Sequence, residues 1–168
     1  MTVHFQALVL AGFAIVMAAA AFEDFRRLVI PNLLPIVLCV LWPFYFAASP
    51  SLYGALAAIG CALAVFIVGA LLFARGLLGG GDVKLLTAAT LWAGPAGTPS
   101  LLLLTGVIGG ALALFILLPF GRQLLFAARI VLGQPIVDPP ERGLAMPVPY
   151  GVAIAGAAVL VIIPAHFG

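Results

Sequence analysis

Six stretches of the chain are apolar almost without interruption: about 4–22, 33–48, 52–74, 83–93, 100–119 and 147–165. A helix rises ~1.5 Å per residue and needs about 20 residues to cross a hydrocarbon core, so these runs predict membrane-spanning helices. The fourth run is short for that task and predicts a thinned, tilted or partly irregular span. The links are of two kinds. Residues 48–51 and 94–99 are short, uncharged and rich in Pro, Gly and Ser, whereas 23–32, 75–82 and 121–146 hold nearly every ionic side chain.

If the six spans alternate in direction, Arg26, Arg27, Arg75, Lys84, Arg122, Arg129 and Arg142 all fall on one side, together with all five acidic residues. A missed or invented span would scatter that segregation. By the positive-inside rule the charged side is cytoplasmic and both termini are non-cytoplasmic. The expected fold is therefore all-α: a polytopic membrane protein of about six transmembrane helices, forming one membrane-embedded domain over residues 1–168.

Composition agrees with the pattern. With 65% hydrophobic residues and a mean hydropathy of +1.34, the chain lies outside the range of soluble globular domains. The first apolar run is a retained span rather than a secretory signal, because its nearest basic residues, Arg26 and Arg27, follow it. Cys39 and Cys61 lie inside apolar runs without CxxC spacing and read as small buried thiols, not as a zinc or disulfide framework. No basic stripe with interleaved aromatics points to nucleic acid. Trp42 and Trp92 sit near the outer ends of their spans, as interface anchors do, and His4 and His166 belong to the aqueous edge opposite the charges. Within 121–146, "GRQLLFAARIVLG" suits an amphipathic segment on the membrane surface and "QPIVDPPERG" an exposed loop.

Two carboxylates stand out against this background. Asp24, in "FEDFRRLVIPN", follows the first span, and Asp82, in "GGGDVKLL", opens the fourth. The alternating topology gives them the same end and nearly the same depth. Two carboxyl groups brought close cannot both ionise cheaply, so they share a proton; the ionised one can take a proton from water while the protonated one donates to a carbonyl. Gly79, Gly80 and Gly81 carry no Cβ and let another chain, such as an extended substrate backbone, approach Asp82. Blander readings stand beside this one: Asp82 as a helix N-cap after a glycine turn, and Asp24 and Glu23 as the solvated flank of a membrane helix. Lys84 either tunes the charge of the pair or snorkels to the interface. A reading from another class makes the chain a small carrier or secretion scaffold with Asp24 and Asp82 as a proton or ion site. Carriers hold such groups near the bilayer midplane, and both aspartates here belong to one edge.

At these residues the chain resembles the type IV prepilin peptidases, intramembrane aspartic proteases with a G-x-G-D motif. Gly79, Gly80, Gly81 and Asp82 run on into Val83, Lys84 and Leu85 as in the family's G-G-G-D-x-K-L. Asp24, Arg26, Ile30, Pro31 and Asn32 match its first aspartate, basic stretch and I-P-N, and Pro149, Tyr150 and Gly151 match the P-[YF]-G that opens its last helix. The N-terminal region with paired CxxC motifs and methyltransferase activity carried by longer members has no counterpart here. The chain looks like the short, peptidase-only form found with tight-adherence (Tad/Flp) pilus systems. The resemblance implies Asp24 and Asp82 as the catalytic pair, with Gly79, Gly80, Gly81, Lys84, Pro149, Tyr150 and Gly151 binding substrate or shaping the site. It implies no cofactor or metal, and as partners it implies membrane lipid and prepilin or pseudopilin precursors whose leaders are cut at the cytoplasmic face of the bacterial inner membrane.

Overall fold

The computed structural model of the chain describes residues 2–47, 51–131 and 148–167, and among these all regular structure is helical. The helices are α1 (Thr2–Arg27), α2 (Leu33–Phe46), α3 (Leu52–Ala74), α4 (Gly80–Leu117), α5 (Pro119–Val131), α6 (Tyr150–Ile162) and the short α7 (Pro164–Phe167). Three of them, α1 from His4, α3 and α4, are long and apolar enough to cross a membrane, while α2 and α6 are apolar but shorter. Helices meet the demand that a bilayer makes on every backbone N–H and C=O, since their hydrogen bonds close within each segment.

The fourth and fifth apolar runs form one assigned helix, α4, but it is folded in two. Gly94 has φ 63° and ψ −174°, outside the helical region, in a part of backbone space that only glycine occupies cheaply. Pro95 follows at the first position of the second arm, where its missing N–H costs nothing. Side-chain neighbours show that the chain reverses there. Gly97 lies against Val161, whereas Gly109, further along the same arm, lies against Tyr150. The second arm thus runs antiparallel to α6. In the first arm, Lys84 meets Asn32 and Trp92 meets Leu38, so that arm runs parallel to α2. The expected link at 94–99 is therefore a one-residue reversal, with 95–99 already helical, and the fourth span begins at Gly80 rather than 83. Counting the arms of α4 separately, six apolar helices among the described residues alternate in direction, as the charge pattern required.

The same contacts sort the molecule into two ends. The C-termini of α1 and α3, the N-termini of α2, α4 and α6, and the exit into α5 share one end, which holds Glu23, Asp24, Arg26, Arg27, Arg75, Asp82 and Lys84. At the other end lie the start of α1, the Gly94 reversal and the close of α6. α3 stops in a Schellman turn, with Gly76 at φ 71° and bonds from Leu77 N to Leu72 O and Gly76 N to Phe73 O.

Phe13, Met17, Leu38, Leu85, Leu101 and Ile154 are fully buried at the centre. Their complement is a broad exposed apolar surface that includes Leu8, Ile15, Leu56, Leu63, Leu103 and Leu114, which suits hydrocarbon rather than water. The protein is a polytopic helical membrane protein. Since lipid is as apolar as the core, close packing must hold the helices together. α6 supplies it with a buried face of Gly151, Ala153, Ala155, Ala157 and Ala158.

Two sequence expectations change here. Trp92 is no interface anchor: it is 3% exposed, its indole N–H donates to Leu38 O at 3.0 Å, and Phe13 and Tyr45 pack on its ring at 4.6 and 5.0 Å between centroids. The early reversal at Gly94 keeps this indole inside the bundle. Cys39 is exposed, on the outer side of α2, and Cys61 is half-buried, both unpaired. Residues 132–147, with most of the anticipated loop, lie outside the described residues, while "GRQLLFAARIV" forms part of α5.

Candidate active site

Asp24 does not follow the first helix but belongs to its last turn. The helix continues to Arg27, where Arg26 and Arg27 complement the partial negative charge of a helix C-terminus. Glu23 Oε2 lies 3.3 Å from Arg27 Nε, an ion pair whose geometry falls short of a hydrogen bond, and the Arg26 guanidinium sits 5.2 Å over the Phe22 ring. Beyond Arg27 the chain turns sharply through Leu28, a non-glycine residue at φ 54°, whose N–H donates to Asp24 O at 2.9 Å. Residues 28–32 then carry the chain across the aspartate end into α2.

The carboxylate of Asp24 is received by the start of α6. Gly151 N–H donates to Asp24 Oδ2 at 2.6 Å, and the side chain is 5% exposed. The first N–H groups of a helix lack intrahelical partners and carry partial positive charge, so they form a ready seat for a carboxylate. The seat needs glycine: a Cβ at position 151 would lie 2.9 Å from Cβ, Cγ and Oδ2 of Asp24. Tyr150 aims the seat, because its ring fits where a Cβ at Gly109 would stand, 2.9 Å from Cε1. Pro149, buried, is the residue before the helix.

Asp82 lies in the first turn of α4, half-buried, with its carboxyl folded back toward Gly79. It is within electrostatic reach of Asp24. The three preceding glycines serve different neighbours. Gly81 accommodates the connector, with Ile30 Cβ 3.1 Å and Ile30 N and O 3.5 Å from where a Cβ would be; Gly80 faces the Phe73 ring of α3; Gly79 is exposed beside the Asp82 carboxyl. Two of the three therefore admit this chain's own segments. Lys84 is exposed, and its ammonium donates to Asn32 Oδ1 at 2.8 Å. Asn32 was legible only as a motif letter; its role as a partner is visible only in the fold. Among the described residues no group of three or more His, Cys, Asp or Glu side chains gathers as a metal site would.

Asp24, from the first of the motif segments, and Asp82, from the second, thus lie at the same end of the bundle, the one buried and the other half-buried. The type IV leader peptidase family matches residues 11–114, more than half of the chain. The chain belongs to that family. It is accordingly a peptidase, and the matched region contains both aspartates, the glycines and Lys84. Comparison with curated proteins and with solved structures returned no match.

Proposed function

We propose that this peptidase is an intramembrane aspartic endopeptidase, a single domain over 1–168, that removes the short leader from prepilin or pseudopilin precursors. Asp24 and Asp82 are the catalytic pair, acting at the cytoplasmic face of a bacterial inner membrane in support of Tad/Flp-type pilus assembly. The observation that carries this reading is the placement of two carboxyls at the same end of the bundle, in the last turn of α1 and the first turn of α4, with the connector that follows Asp24 lying at Ile30 against Gly81, the neighbour of Asp82. A water held between them attacks the scissile carbonyl carbon. The ionised carboxyl takes a proton from the water and the protonated one gives its proton to the carbonyl oxygen. Collapse of the tetrahedral species breaks the C–N bond, and the leaving nitrogen takes up a proton from the pair. The positive-inside rule supports the cytoplasmic assignment of the aspartate end.

The test is co-expression of the chain with a Flp-type prepilin, comparing leader removal by the native sequence, Asp24→Asn and Asp82→Asn at matched membrane levels. Cleavage by the native chain and its loss in each variant is the expected result. Persistent cleavage in either variant would remove that aspartate from catalysis.

A further inference from the structure

Helix α1 packs along α2 and α6, and α4 packs along α2, α3 and α6. The position of Asp24 relative to Asp82 therefore depends heavily on third parties. One bridge is α6, which holds the Asp24 carboxylate through Gly151 and seats Tyr150 on the second arm of α4. The other bridge is the connector between α1 and α2. It starts at the Leu28 turn, four residues after Asp24, and crosses Gly81 next to Asp82 at Ile30. It ends at Asn32, where Lys84 takes hold of it at 2.8 Å.

We infer that Lys84 and Asn32 form a clamp that fixes the spacing of the two aspartates, so that both are positioning residues for the proteolytic reaction. The inference rests on the catalytic assignment proposed above. Three observations carry it. Lys84 stands two residues after Asp82 on a helix, about 200° around the axis, and its ammonium goes to Asn32 rather than to either carboxylate. The connector it holds is non-helical and begins at a residue in the left-handed region, a conformation that persists only when its surroundings impose it. The Ile30 contact at Gly81 sets how closely the connector lies on α4, and the hydrogen bond at Asn32, being directional, ties its far end to one register along that helix.

The experiment measures kcat and KM for leader removal with purified native protein, Lys84→Met, Asn32→Leu, the double variant and Asn32→Asp, with thermal unfolding of each in the same detergent. The clamp predicts that Lys84→Met and Asn32→Leu each lower kcat by about tenfold to a hundredfold at nearly unchanged KM, the scale of a small misplacement of catalytic groups. The double variant should be no slower than the worse single one, and Asn32→Asp, which keeps an acceptor for the ammonium, should recover most of the rate. A slow Lys84→Met beside a fully active Asn32→Leu would overturn the clamp and make Lys84 act directly. A rise in KM alone would also overturn it, in favour of substrate binding. If the native protein cleaves nothing, the functional reading fails, and the unfolding data still judge the clamp: coupled effects of the two substitutions support it and additive ones overturn it.

Discussion

The two ends of this bundle are built by different means. At the aspartate end, backbone comes close to backbone or to a carboxyl: Gly151 against Asp24 and Gly81 against Ile30. Polar bonds join elements distant in sequence there, Gly151 to Asp24 and Lys84 to Asn32. At the opposite end, large rings fill the space between helices, with Trp92 between Phe13 and Tyr45 and a single glycine reversing the chain at Gly94. The first arrangement fixes positions to fractions of an ångström and needs residues without side chains. The second supplies contact area and tolerates small shifts. Substitutions at the first end should therefore cost activity out of proportion to stability, and those at the second the reverse.

The contrast can be broken most directly at Asp24 and Asp82. Replacing either by Asn should reduce leader cleavage by about 10²- to 10⁴-fold with normal membrane levels, measured by the mobility shift of a co-expressed prepilin. Next in size is Gly151→Ala, whose new Cβ must displace the Asp24 carboxyl. It should lower kcat by about a hundredfold while destabilising by only about 1–3 kcal/mol through overpacking, and an active Gly151→Ala enzyme would show that the seat on α6 is dispensable.

At the other end, Gly94→Ala forces a side chain into the backbone region reserved for glycine, at a cost of about 1–3 kcal/mol. Fewer molecules should reach the membrane folded, and each folded one should cleave at the native rate. Trp92→Phe keeps a ring but removes the bond to Leu38 O, and should destabilise by about 1–2 kcal/mol in denaturation without changing kcat. The smallest effect is expected at Gly106, in the second arm of α4, which has nothing within 4 Å of a prospective Cβ. Gly106→Ala should leave activity intact and stabilise by up to about 1 kcal/mol through helix propensity. A large loss there would mean that this face is covered in the membrane.

The sequence was informative where a residue's environment is set by its own segment. Apolar runs longer than a soluble core helix report lipid, and the segregation of Arg26, Arg27, Arg75, Lys84, Arg122 and Arg129 from the uncharged links requires an even number of spans between one charged link and the next, which between Lys84 and Arg122 the reversal at Gly94 completes. The expectations fail at Trp92 and Cys39 for different reasons: the Trp92 indole lies near a span end but finds its acceptor, Leu38 O, inside the bundle, whereas for Cys39 hydropathy does not separate core from lipid. In water, an apolar residue is predicted to face inward; in a bilayer, interior and exterior are equally apolar, so hydropathy does not tell which side of a helix is buried. Trp92 was expected at the interface and is in the core, and Cys39 was expected in the core and faces outward.

The amino-acid sequence by itself determined that this chain is a bundle of membrane helices, that its charges gather at one end, and that Asp24, the glycines with Asp82, and Pro149 to Gly151 are the segments to watch. Only the tertiary structure decided who meets whom: α6 presents its N-terminus to Asp24, Ile30 rather than open space occupies Gly81, and Lys84 binds Asn32. Those pairings depend on how each helix is rotated and which neighbour it takes. Both are settled by steric fit and hydrogen bonds across the bundle, which no single segment encodes.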